Sequence, residues 1–143
     1  MTDAYVGLMS GTSLDGISAA VARFRATKGT RLQPELLGFT VTFAPGSAYH
    51  SINYRWFAQR YSDFSYLDRV VVAPAYRRQG IGSLIYDAAE QRARQRGRMT
   101  LEVYAEPPNE ASLAFHERRG YEEVGRLRQV NGKICAMLVK ELV

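Results

Sequence analysis

A single cysteine, Cys135, stands in the 143 residues, which excludes an internal disulfide. The apolar run around it points to a buried thiol in a reducing compartment. No stretch approaches 18 uninterrupted apolar residues, so no membrane span is expected. The amino terminus carries neither the basic start nor the apolar run of a secretory signal, and the expected location is cytoplasmic. Internal repeats and low-complexity segments are missing too, and no metal site is expected. Charged residues are 23% and apolar residues 46% of the chain, the mixture of a globular protein rather than a disordered one. This length fits one domain, 1–143, able to bury roughly two-thirds of its unfolded surface.

Arginine is what the chain has in excess, and it sets the net charge of +5. Arg92, Arg94, Arg96 and Arg98 follow at every second position. Residues two apart on a helix point to different sides, so these four make no nucleic-acid stripe. They read as a solvated helix end complementing the negative dipole, and no nucleic-acid partner is expected. The modest positive field favours a polyanionic ligand such as a nucleotide.

The pattern predicts strands at Ala4 to Met9 and Ile17 to Phe24, separated by the turn residues "SGTSLDG", and a third strand in "ELLGFTVTF" after the polar connection "RATKGTRLQP". "SINYRWFAQRY" predicts a short helix, with Ile52, Trp56 and Phe57 at helical spacing. "SYLDRVVVAP" reads as a strand closed by Pro74. "GIGSLIYDAAEQRARQRG" reads as an amphipathic helix with Ile81, Leu84, Ile85, Ala88 and Ala89 on one face and Gly97 as its stop. "MTLEVYA" is a further strand. Asn109 then caps a helix running to Arg119, and two strands flank Asn131-Gly132, a strong hairpin signal.

Chemistry concentrates in "VVVAPAYRRQGIGSLIYDAAE", where a strand ends, arginines and glycines follow, and a helix begins. The first amides of a helix lack intrahelical partners and lie at its positive end. Gly80 and Gly82 let a pyrophosphate approach the backbone, while Arg77 and Arg78 supply charge-assisted hydrogen bonds. A glycine pair alone equally suits a tight strand-to-helix turn.

Together with "PPNEASLAFHERRGY" and the closing "AMLVKEL", this order resembles the GCN5-related N-acetyltransferases (GNAT) from about Gly38 to Val143. The resemblance implies acetyl-coenzyme A as co-substrate and a small amine as acceptor. It places the coenzyme's pyrophosphate at Arg77, Arg78, Gln79, Gly80, Ile81, Gly82 and Ser83. It pairs pantetheine with the backbone of Val70 to Val72, and sets Asn109 and Phe115 at the thiol end. His116 occupies the place where the family often has a tyrosine that protonates the departing thiolate, and an imidazolium can do the same near neutral pH. A helix histidine is also commonly structural, and both readings stand. Glu102 and Glu106 are candidates for a general base acting through water, or are solvated or paired carboxylates.

Residues 1 to about 35 resemble another family, the anhydro-N-acetylmuramic acid kinases of the actin-like ATPase fold, through "GLMSGTSLDGISAAVARF". In those kinases the loop matching Ser10 to Asp15 faces nucleotide phosphates. A second phosphate loop, an adenosine pocket, a catalytic base and a second lobe are missing here, so phosphoryl transfer is not expected. The chain reads as a recombined chimera with its seam near "PELLGFTVTF": a kinase-like hairpin, 1–34, joined to an acyl-coenzyme-binding segment, 35–143. The fold class implied is α/β, with a mixed, mainly antiparallel sheet in which a β-meander replaces the family's strand-helix-helix-strand opening. That exchange uncovers one sheet face, and with Tyr54, Trp56, Phe57 and Tyr61 nearby it predicts a homodimer, unless those rings fold into the monomer's own core. The rival to an acetyl-coenzyme A-binding module with weak or no turnover is a folded scaffold without ligand.

Overall fold

The computed structural model describes residues 4–10, 16–29 and 31–143. The chain runs β1 (Ala4–Ser10), β2 (Gly16–Ala26), β3 (Leu32–Phe43), α1 (Ile52–Ala58), β4 (Ser65–Val72), α2 (Ile81–Ala93), β5 (Arg98–Glu106), α3 (Glu110–Arg118), β6 (Glu122–Arg128) and β7 (Ile134–Glu141). The strands hydrogen-bond in the order β1-β2-β3-β4-β5-β7-β6. β4 and β5 are parallel, whereas β1/β2, β2/β3, β5/β7 and β6/β7 are antiparallel. This is the expected α/β class with a mixed, mostly antiparallel sheet that opens on a meander. The predicted turn at Gly11 to Asp15 lies outside the described residues. The chain forms two compact units, Met1–Phe43 with Leu67–Arg92, and Ala44–Tyr66 with Ala93–Val143.

In the first unit the connection between β2 and β3 is shorter than its polar composition predicts. Arg25 and Ala26 extend β2, and Leu32 to Pro34 begin β3. The amide and the hydroxyl of Thr27 both donate to the Arg31 carbonyl, at 3.2 and 2.8 Å, closing the loop. Backbone pairing thus overrides the loop-like composition. The register slips at one place: Val21 faces Gly38 while Ala22 faces Leu36. The additional residue, Leu37, is fully buried with Val21, Ile81 and Ile85, against Val70, Val72 and Tyr76. A bulge here therefore turns two consecutive residues, Leu37 and Gly38, toward α2.

α2 buries Ile81, Ile85, Ala89 and Ala93, the i, i+4 stripe of a helix laid on a sheet. Leu84, expected on that face, is 40% exposed, and Ala88 is only half-buried, while Tyr86 and Glu90 are buried instead. Adjacent helix positions are turned by about 100°, so with Ile85 over the bulge Leu84 and Tyr86 lie on opposite flanks, and the flank of Tyr86 is the buried one. Periodicity alone does not choose between the two flanks of a stripe. Helical geometry tightens to a 3-10 turn at Arg94–Arg96 and stops at Gly97, whose φ of 77° needs glycine. Arg98 already belongs to β5 and reaches Glu141 at 3.1 Å, whereas Arg96 meets Asp63 at 3.3 Å. The alternate arginines thus belong to several elements rather than to one helix end.

In the second unit Ser51 caps α1 by accepting from the Tyr54 amide at 3.3 Å. The buried residues of α1 are Asn53, Tyr54 and Phe57, not the predicted stripe of Ile52, Trp56 and Phe57. Tyr54 and Phe57 join Phe64 and Tyr66 in one aromatic core, with ring centroids 5.6–6.1 Å apart. Two of the rings that argued for a homodimer therefore complete the core of their own unit. Trp56 is held elsewhere, over Gly125 of β6: a Cβ at Gly125 would lie 2.6 Å from its ring. Replacing Gly125 by Ala is expected to cost about 1–2 kcal/mol, because the half-buried ring can tilt but not without losing packing. Urea unfolding measures it, and an unchanged midpoint would mean that the indole moves freely.

Candidate functional site

The loop between β4 and α2 is built by backbone constraints. After Val72, the Ala73 amide donates to the Leu37 carbonyl at 2.8 Å, prolonging the β3–β4 ladder by one bond. Pro74 opens a 3-10 turn, Pro74–Tyr76, and Arg77 is extended. Arg78 then takes φ 59°, Gln79 does not, and Gly80 takes φ 79°. Alternation of this kind turns successive amides toward one side, the geometry of an anion-binding concavity. A left-handed arginine costs about 1 kcal/mol or more, so the surrounding turn must impose it. The Gly80 carbonyl accepts the first helical bond, from the Leu84 amide at 3.1 Å. Ile81, Gly82 and Ser83 therefore form the first turn, whose amides have no intrahelical acceptor.

Glycine at 80 and at 82 serves two different purposes. Gly80 needs its positive φ; Gly82 does not, and a Cβ there would meet nothing within 4 Å. Among the described residues no packing requires glycine at 82. Gln79 spends its side chain on the turn, donating to the Ala75 carbonyl at 3.1 Å, and Arg77 Nε donates to the Val72 carbonyl at 3.3 Å. Val70 and Val72 are half-buried against the core beneath α2. Sequence reasoning missed Tyr76 and Glu35, which brace this loop: the Tyr76 hydroxyl donates to the Glu35 carboxylate, and Arg25 lies 3.1 Å from the same carboxylate. The Tyr76 hydrogen bond, more than the cations Arg25 and Arg23, holds the Glu35 carboxyl below its ordinary range. Whatever this group adds to stability is present above the ordinary carboxylate pKa and fades as pH falls through the lowered one. The sole sequence signal was an aromatic residue inside "PAYRR".

The remaining candidates belong to the second unit. Asn109 caps α3, its side-chain oxygen accepting from the Ser112 amide at 3.2 Å. Phe115 is half-buried, edge-on to His116 with centroids 5.3 Å apart. His116 is only 4% exposed. Its Nδ1 lies 2.7 Å from the Ser112 carbonyl one turn back, and its ring stands edge-on to Tyr121 at 5.3 Å. Tyr121 in turn donates to the sulfur of Met99 on β5 at 3.1 Å. Glu102, also on β5, is odd-numbered steps from Met99 and so projects from the opposite face. There the Tyr66 hydroxyl donates to both its carboxylate oxygens, at 3.0 and 2.9 Å. The proposed acid and base thus stand on opposite faces of β5. Glu106 is exposed and ion-paired with Arg126 at 3.0 Å, the paired-carboxylate reading of that residue.

Cys135 is buried on β7, and burial first, then the charge of Glu102, pushes its thiol up to about 11. At neutral pH it stays protonated and is a poor nucleophile. Labelling of the native protein by iodoacetamide at pH 8 is expected to be slow and to become fast on unfolding; fast labelling of the folded chain would contradict this burial. Among the described residues no group of three or more His, Cys, Asp or Glu could hold a metal, and no helix is long and apolar enough to cross a membrane.

Residues 30–121 match the model of the Acetyltransferase (GNAT) family. The chain belongs to this family. No curated protein sequence matches it significantly. Among solved structures, the ribosomal-protein-S18-alanine N-acetyltransferase of Escherichia coli superposes with a TM-score of 0.60 at 18% identity, covering 93% of this chain and 72% of that one. Arabidopsis thaliana NAA60, solved with acetyl-CoA, gives 0.64 at 19%, covering 89% and 76%. A GNAT-family acetyltransferase from Streptococcus pneumoniae gives 0.61 at 18%, covering 92% and 70%. At these identities the likeness is one of fold.

Proposed function

We propose that this GNAT-family chain binds acetyl-coenzyme A through the β4–α2 loop, as the cofactor-binding module of an N-acetyltransferase acting on an amine. One observation carries the reading: Arg78 and Gly80 both hold left-handed backbones ahead of a helix whose second residue, Gly82, faces open space. A turn serving only to connect strand and helix needs neither a strained arginine nor a bare backbone at 82. The amides of Ile81 to Ser83 and the guanidinium of Arg78 would hold the pyrophosphate, with Arg77 adding charge. Val70 and Val72, in the same unit as this loop, would present backbone groups to pantetheine.

Turnover is proposed to be weak. In the reaction, the acceptor nitrogen attacks the thioester carbonyl, a base takes the ammonium proton, and the thiolate leaves with a proton from an acid. Glu102, partly open and held by Tyr66, fits the base acting through water. His116 is poorly suited to the acid, since its Nδ1 is committed to its own helix and its ring is enclosed. The kinase-like parentage read from the amino-terminal sequence implies in addition that the acceptor lacks the wall the family's two opening helices would supply.

Thermal unfolding tests the reading. At a hundredfold excess over its dissociation constant a native-state ligand stabilises by about 2.7 kcal/mol. Acetyl-coenzyme A is expected to raise the melting temperature, and ATP to do so less or not at all. No shift with the coenzyme would leave a scaffold without ligand, and a larger shift with ATP would overturn the assignment.

A further inference from the structure

The first unit has two unlike faces. Toward α2 the meander presents Val21, Leu37 and Gly38, then Arg23, Arg25 and Glu35 farther along. Strand alternation sends the intervening residues to the other face. The register aligns them in rows across strands: Tyr5 opposite Ala22 and Ala22 opposite Leu36, Phe24 opposite Pro34, Ala26 opposite Leu32, Ala20 opposite Phe39. Every residue in these rows is apolar. Large side chains there are open to solvent: Tyr5 is 55% exposed, Phe24 42%, Leu36 55% and Leu32 65%. Tyr5 and Phe24 already meet edge-on at 5.7 Å. A charge-free row of exposed aromatic and branched residues on a sheet is the composition of an interface centre, not of a solvated face.

We propose that a second copy of this chain covers this face, the two meanders stacking sheet on sheet about an isologous two-fold axis. Its size suits that occupant. Strands β2 and β3 are 11 and 12 residues long, about 35–40 Å at the usual rise, and three strands spaced ~4.8 Å make a face about 14 Å wide. Each copy then contributes roughly 500 Å², and the pair roughly 1,000 Å², the lower bound of a specific interface. An isologous contact also matches apolar rows to apolar rows without bringing like charges together, since Arg23, Arg25 and Glu35 point the other way.

Sedimentation equilibrium across a dilution series tests the proposal, with two variants, Phe24→Lys and Leu36→Glu, at side chains exposed in the single chain. The expected result is a mass of twice the 16.1 kDa chain for the starting protein at the higher concentrations, and a single-chain mass for each variant at all of them. A single-chain mass for the starting protein throughout would overturn the proposal, as would a dimer persisting in both folded variants. Amide hydrogen exchange of the unaltered protein at high and low concentration guards against variants that fail to fold. Protection that rises with concentration in 4–10, 16–26 and 32–43 supports the stack. A rise confined to other segments, or none, refutes it.

Discussion

Replacing Gly38 by Ala is expected to destabilise the protein by about 3 kcal/mol, at the upper end of what overpacking costs. A Cβ there would lie 2.7 Å from the main-chain oxygen of Val71, 3.0 Å from Ile85 Cδ1 and 3.3 Å from Ile81 Cγ2. The two isoleucines could shift a little. The Val71 oxygen cannot, because it belongs to β4 beside the bond from the Ala73 amide to the Leu37 carbonyl. A methyl group must therefore either open the β3–β4 ladder or lift α2 off the bulge. The smaller entropy of the unfolded Ala chain works the other way, but by only about 0.4–1 kcal/mol. Urea unfolding reads the difference. Gly82→Ala in α2 is the control, since its added Cβ meets nothing within 4 Å; a midpoint for Gly38→Ala no lower than that for Gly82→Ala would refute the close approach. Because Ile81 opens α2, Gly38→Ala is also expected to weaken acetyl-coenzyme A binding.

Gly82→Val is expected to leave stability within about 0.5 kcal/mol, since valine is no worse than glycine in a helix, and to lower acetyl-coenzyme A affinity roughly a hundredfold, about 2.7 kcal/mol. The added side chain would occupy open space at the first turn of α2, where the pyrophosphate is proposed to touch bare backbone. Arg78→Gly separates charge from strain. Glycine accepts φ 59° freely, so the fold should hold or gain slightly, while the lost guanidinium costs binding about 1.5–3 kcal/mol. Titration calorimetry on both, beside their melting curves, checks the pair. Unchanged affinity in both variants would mean that the loop is only a connection.

Much of this fold was legible in the residues. Glycines at 97 and 132, the cap at Asn109, and the alternation of the strands are short-range signals, because steric and hydrogen-bonding preferences act within a few residues. The β4–α2 loop was legible for the same reason: its arginines, glycines and helix start are contiguous. Composition misled at Arg25 to Pro34, where a partner strand supplied hydrogen bonds that polar residues alone did not advertise.

Local sequence determined where the elements lie, which residues form the β4–α2 loop, and to which family the chain belongs. Only the tertiary structure decided which flank of α2 is buried, that of Tyr86 rather than that of Leu84. Packing likewise placed Trp56 on Gly125, gave Glu102 its tyrosine, and enclosed His116 beside Tyr121 on the face of β5 opposite Glu102. Each of these depends on residues tens of positions apart. Such distances are bridged by the sheet register and the helix seating, which no short segment encodes alone, so the loop could be read from the chain while the separation of the supposed acid from the supposed base could not.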